Sequence, residues 1–176
     1  MNLSAFYGAF SPACFALLGL WLVAVQVRLR EWEGDKERRR RSYGVALHFA
    51  LPGLMSMLAL IDLQTSLFWR ISFVAVALSG AVVMASVRGY PVAPGRDHAG
   101  MRGLPAVDRL GLAAYAAAIV LYVLIGVLAV VGGLTALRTE AVLQTLLVFL
   151  GFNVAWLLLL DDRKPVQHAR PSARAE

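Results

Sequence analysis

The chain reads as an all-α integral membrane bundle of five transmembrane helices, with its N-terminus outside and its C-terminus cytoplasmic. Three observations lead there. Apolar residues make up 59% of the 176 and charged residues only 16%, with a mean hydropathy of +0.67, outside the range of soluble domains. Five stretches, residues 5–27, 44–61, 71–87, 110–134 and 141–160, contain no Asp, Glu, Lys or Arg. The basic residues outside them alternate in number from one connection to the next.

The first stretch has 23 residues, and a hydrocarbon layer about 30 Å thick needs roughly 17 to 25 apolar residues at a rise of about 1.5 Å each. Residues 1–27 hold no Lys or Arg, so the charged start of a signal peptide is missing and the segment is expected to be a helix that stays. The second and third stretches, 18 and 17 residues long, are the shortest and are joined by residues 62–70, which retain Leu63, Leu67, Phe68 and Trp69. A tight hairpin is expected. The fourth and fifth have 25 and 20 residues, and none of the five shows the apolar–polar alternation of a barrel strand. Where water is absent the backbone must satisfy its own hydrogen bonds, so helices remain. The longest remaining segment, residues 88–109, has 22 residues, too few for a soluble domain without staples. Residues 1–176 therefore form a single transmembrane domain.

Lys and Arg number seven in residues 28–43, four in 88–109 and four after residue 160, against Arg70 and Arg138 alone in the other two connections. Cytoplasmic enrichment of basic residues places segments 28–43, 88–109 and 161–176 inside. With the acids included these carry +3, +2 and +1, so the net charge of +6 faces the cytoplasm. The run Arg38-Arg39-Arg40-Arg41 then serves topology and anionic headgroups. Glu31, Glu33, Asp35 and Glu37 dilute its field and no aromatics interleave it, so no nucleic acid is expected as a partner. Fifteen Arg against two Lys, with abundant Ala and Gly, suggests a GC-rich bacterium and hence its cytoplasmic (inner) membrane.

Lipid gives helices no hydrophobic reason to associate, so small residues mark their contacts. Ala5, Ala9 and Ala13, then Ala77, Ala81 and Ala85, then Ala113 with Ala117 and Ala114 with Ala118, are expected seams. Ser72, Ser79 and Ser86, seven apart, are expected on a left-handed packing seam, or along a hydroxyl-lined path if other helices present polar groups to them.

An ionisable residue inside a spanning segment is costly, and His48 is the one expected here. Gly44, Pro52 and Ser56 share its face at four-residue spacing. Pro52 cannot bond the His48 carbonyl, so a bend and a carbonyl in search of a partner are expected, with Gly53 leaving room for one. His48 is then either a hydrogen-bonded ring at a bend or, with an unperturbed pKa near 6.5, a proton relay. Ser4, Tyr7, Ser11 and Cys14 form a polar arc on the first helix around Pro12, where Ser11 is expected to bond the backbone that Pro12 frees. On the fifth helix, beside Gln144 and Thr145, Asn153 is expected to bond another helix. The candidate intramembrane polar site is thus His48, Pro52, Ser56, Ser11 and Asn153.

No His-Glu-x-x-His, Gly-x-Ser-x-Gly, Gly-Lys-Ser/Thr or Thr-Val-Gly-Tyr-Gly sequence occurs, which removes zinc hydrolase, serine hydrolase, phosphate-loop and potassium-filter readings. A single cysteine, Cys14, rules out an intrachain disulfide. Haem between two intramembrane histidines is excluded because His98 and His168 fall in the inner loop and tail, and no cofactor or metal is implied. A coupled carrier is disfavoured because no carboxylate lies inside the five stretches and five helices do not divide into inverted halves. The size resembles that of the tryptophan-rich sensory/translocator proteins, but Trp21, Trp32, Trp69 and Trp156 do not form that family's pattern. The expectation is a non-enzymatic multi-pass protein acting through contacts with lipids, copies of itself or another membrane protein, as a self-associating or accessory subunit whose first three helices line a narrow ion or small-solute pathway. The alternative is a lipid enzyme using Asp161, Asp162 and inner-loop acids at the cytoplasmic face.

Overall fold

The computed structural model describes residues 2–30, 36–61, 66–88, 106–132 and 136–160. They form five helices: α1 (Leu3–Arg28), α2 (Lys36–Ile61), α3 (Ser66–Arg88), α4 (Ala106–Val131) and α5 (Ala136–Leu160). All five are long and apolar enough to cross a membrane.

The helix ends follow local chemistry. Asn2 caps α1, its Oδ1 accepting from the Ala5 amide at 3.3 Å, which satisfies one of the orphan donors of the first turn. α2 begins eight residues before the apolar stretch, at Lys36, because Lys and Arg are good helix formers and prolong a helix that no longer needs to be apolar. α3 likewise takes in Leu67, Phe68, Trp69 and Arg70. α4 ends at Val131, where Gly132 carries a conformational cost inside a helix. α5 starts a turn earlier than expected, at Ala136, so Arg138, Thr139 and Glu140 are helical. Residues 62–65, the expected hairpin tip, and the acids Glu31, Glu33, Asp35, Asp97, Asp161 and Asp162 lie outside the described residues.

Neighbouring helices run antiparallel. Ser11 and Trp21 of α1 meet Gly53 and Ser42 of α2, Gly80 and Gly126 mark the α3–α4 contact, and Ser56 and His48 of α2 face Gln144 and Gly151 of α5. The most extensive contacts are α3–α4 and α1–α2, followed by α2–α5 through the centre, while α1 barely touches α5. One end of the bundle therefore carries Arg28 and Arg38 to Arg41. The far end carries Arg70 and Arg138.

The core is mainly apolar, but the exterior is apolar as well and a few polar groups are enclosed. Leu20, Val27, Leu78, Val82, Val130 and Phe149 are more than half exposed, whereas Ser11, Ser42, His48, Ser56, Glu140 and Gln144 are buried. An exterior this apolar is suited to lipid, and the fold fits a multi-pass membrane protein.

Small residues form some of the expected seams. Ala114 and Ala118 are buried on α4 and Ala77 on α3, and Gly80 receives the Tyr122 ring so closely that a Cβ there would lie 2.7 Å from it. Other expected seams face outward: Ala5, Ala9 and Ala13 are exposed, as are Ala85, Ala113 and Ala117. The serine stripe is corrected too. Ser79 and Ser86 are exposed and donate to Ala75 O and Val82 O of their own helix, so they line no path within the chain.

Candidate functional site

The buried stripe of α5 organises the site. Leu137, Gln144, Gly151 and Leu158 recur every seven residues, and so do Glu140, Leu147 and Val154. That heptad pattern keeps one seam against α2 and α4 along the whole helix. Glu140, Gln144 and Gly151 are therefore interior positions by register. The expectation that no carboxylate lies inside a spanning helix fails at Glu140, which is buried with 0% exposure because α5 extends past it.

The expected face of α2 is the buried one, since Gly44, His48, Pro52 and Ser56 are all inaccessible. Ser56 Oγ lies 2.9 Å from both Pro52 O and Gln144 Oε1, but a hydroxyl has a single proton to donate. With the Gln144 amide turned over, Nε2 donates to Ser56 Oγ while Ser56 donates to Pro52 O, and Oε1 becomes the unpaired atom. In either orientation Gln144 offers one unsatisfied polar atom to the interior.

Nearer the arginine run, His48 Nδ1 lies 2.8 Å from Gly44 O. A carbonyl only accepts, so Nδ1 carries the hydrogen and Nε2 is the ring nitrogen without a partner. The ring meets Tyr115 edge-on at 6.1 Å. Gly151 lets α5 pass over His48, for a Cβ there would come within 3.2 Å of His48 Cγ and still nearer its Cβ. Periodicity could have linked Gly151 to the buried stripe, but its contact with His48 could not be read from one helix alone.

Two expected roles change. Ser11 does not repair the backbone near Pro12: its hydroxyl donates to Gly53 O of α2 at 3.1 Å, tying two helices beside Pro52. Asn153 is exposed and donates to Phe149 O of its own helix at 2.8 Å, because it lies two residues beyond Gly151 and points off the stripe. It belongs to the outer surface.

At the far end a second polar layer forms. Tyr7 Oη donates to Leu137 O at 3.0 Å, joining α1 to the turn of α5 that precedes Glu140. Gly132 abuts Ala136 at the start of α5, one turn before Glu140. Arg70 donates through Nη2 to Gly132 O, while its Nε is unpaired, as are both Glu140 oxygens and the indole nitrogen of the wholly buried Trp69. Leaving such groups unmet costs about 1–3 kcal/mol each, and more for charged ones. Glu140 and Arg70 were missed because each was expected in a connecting segment. The signal that finds Glu140 is its spacing, four residues before Gln144 and seven before Leu147.

From the far end inward the row of polar side chains is Glu140, Arg70 and Tyr7, then Gln144, Ser56 and Ser11, then His48. At about 1.5 Å per residue, α5 carries it roughly 16 Å from Glu140 to Gly151. Among the described residues, no three or more His, Cys, Asp and Glu are grouped to hold a metal ion, and Cys14 is buried. A separate groove of about 380 Å³ between α3 and α4, lined by Val74, Ala77, Leu78, Tyr122, Gly126 and Val130, is almost wholly apolar. No family model, curated protein or solved structure matches this chain, so no relative's role carries over to it.

Proposed function

We propose that the chain is a non-enzymatic multi-pass protein of a bacterial inner membrane whose helices α1, α2 and α5 line a narrow ion or small-solute pathway. One observation carries this reading. Polar atoms without partners, on Glu140, Gln144 and His48, lie in the interior of a bundle whose outer face is apolar. Groups that only held helices together would be paired, as Ser11, Tyr7 and Trp21 are. Unpaired ones suit a passing polar species that supplies the missing bonds. The basic bias orients the arginine-run end and residue 176 toward the cytoplasm, and the outward small residues Ala5, Ala9 and Ala13 favour close approach of a second copy or another membrane protein. Membrane lipids cover the remainder.

The test joins topology to flux. A reporter fused after residue 176 should be cytoplasmic, and vesicles containing the purified protein should leak protons or alkali cations faster than empty ones, with Gln144→Leu and Ser56→Leu lowering the rate. Flux equal to that of empty vesicles overturns the pathway, and a reporter on the opposite side overturns the orientation.

A further inference from the structure

Glu140 is the one carboxylate among the described residues whose side chain is wholly buried, and a row of polar side chains does not by itself explain why a carboxyl group and an arginine Nε are both left unpaired at this end. Both its oxygens lack a hydrogen-bond partner, and so does Arg70 Nε. Arg70 instead uses Nη2 to hold Gly132 O, just beyond the end of α4. Its guanidinium lies 5.8 Å from the centre of the Trp69 ring, within the range of a cation–π contact. The arginine thus has two available partners, a carbonyl and a carboxylate. It is bonded to the neutral one.

We propose that Glu140 is a proton-binding site and that Arg70 changes partner with its charge. This deepens the pathway reading by naming the proton as the species bound at the far end. In the state described, the proton resides on Glu140 and Arg70 is left to Gly132. When Glu140 gives its proton to water at that end, a bare carboxylate remains in a desolvated site, where an uncompensated charge is strongly disfavoured. The nearest cation is Arg70, whose unpaired Nε can turn to it. The O–H bond of the acid is the one covalent bond broken, its proton passing to water, and the Arg70–Gly132 hydrogen bond is exchanged for one to Glu140. The consequence is mechanical, because the Arg70–Gly132 bond links the start of α3 to the α4–α5 connection.

The other elements offer no competing charge among the described residues. α1 presents Tyr7, whose hydroxyl is committed to Leu137 O. α2 presents Ser56, and on α5 itself Arg138 is exposed. α4 presents the Gly132 carbonyl, with the Tyr122 hydroxyl buried and unpaired nearer its middle. A sodium ion would require several oxygen ligands. Here, among the described residues, a single carboxyl group is buried, and the unpaired Arg70 Nε is a donor, which cannot ligate a cation.

The experiment uses the full chain in vesicles of phosphatidylcholine and phosphatidylglycerol, and it needs no flux, so its failure and that of the pathway are separable. Infrared difference spectra between acidic and alkaline buffer should contain a protonated-carboxyl band that Glu140→Gln removes. In wild-type protein, a hydrophobic carbodiimide should label Glu140 at least about tenfold more in acid than in alkali, since protonation changes tenfold per pH unit. This holds whether or not the variant folds. Spin labels at the exposed Leu67 and Val131 should change separation with pH in wild type, but not in Glu140→Gln or Arg70→Gln. A band and labelling pattern without a Glu140 contribution overturn the proton site. Competition by sodium at fixed pH replaces the proton with a metal cation and overturns it equally. A pH-dependent separation that persists in Arg70→Gln overturns the change of partner.

Discussion

Substituting Gly151 separates packing from propensity in a way that depends on one atom. An alanine methyl at 151 lies inside contact distance of His48 Cβ, 3.2 Å from His48 Cγ and 3.4 Å from Phe49 Cε1. Cβ is fixed to the α2 backbone, so relief requires α2 and α5 to move apart, and overpacking of this kind costs about 1–3 kcal/mol. Against it stands about 1 kcal/mol of helix propensity gained when Gly becomes Ala. Gly151→Ala should thus destabilise the protein by about 2 kcal/mol, the upper end applying because the obstacle is not a movable side-chain tip. In a His48→Ala background the cost should persist, since alanine keeps the Cβ. With His48→Gly it should vanish and turn into a gain of about 1 kcal/mol, a coupling of about 3 kcal/mol. Reversible unfolding in mixed micelles, followed by helix signal and tryptophan emission, measures all six proteins. If Gly151→Ala is as stable as wild type, or if His48→Ala relieves it as fully as His48→Gly, the α2–α5 contact has been misread.

Three further substitutions test other contacts by the same unfolding measurement. Tyr7→Phe removes the bond to Leu137 O and should cost about 0.5–1.5 kcal/mol, while no loss would show that α1 is not tied to α5 there. Gly80→Ala places a methyl 2.7–2.8 Å from Tyr122 ring atoms, so it should destabilise by about 1–3 kcal/mol, and Tyr122→Ala should relieve it, in contrast to Gly151. Asn153→Leu, at an exposed position bonded only within its helix, should change stability by no more than about 0.5 kcal/mol; a loss several times larger would return Asn153 to a contact between helices.

The existence of five helices was legible because length and apolarity measure the requirement for crossing lipid directly. So was the buried face of α2, where His48, Pro52 and Ser56 recur on one side. Direction was not legible. Ala5, Ala9 and Ala13 share a face, as do Ser72, Ser79 and Ser86, but spacing fixes their mutual phase and not which way they point. In water the contrast between apolar and polar faces supplies that direction. In lipid both faces are apolar and the contrast is absent. Asn153 illustrates the same loss, since its central place in the sequence says nothing about the side on which it emerges. Glu140 failed for a different reason. A helix bounded by its first charged residue must end there, whereas α5 continues one turn further along an unbroken heptad register.

The paired and unpaired polar atoms differ in where they lie, and that difference argues against stability as their common purpose. The ties between helices, Trp21 to Ser42, Ser11 to Gly53 and Tyr7 to Leu137, are satisfied along the whole length of α1. Bonds of this type average only about 0.6 kcal/mol, because the unassembled helices in lipid also find partners. Gln144, Glu140, Arg70 and Trp69 carry five unpaired atoms grouped in the far half of the bundle, each lowering stability by more than one such tie restores. A stripe of leucine at 140 and 144 would continue the heptad seam of Leu137, Leu147 and Leu158 and remove the penalty. Keeping a carboxyl and an amide there, facing an arginine that bonds elsewhere, makes sense only if the layer is completed by something that comes and goes.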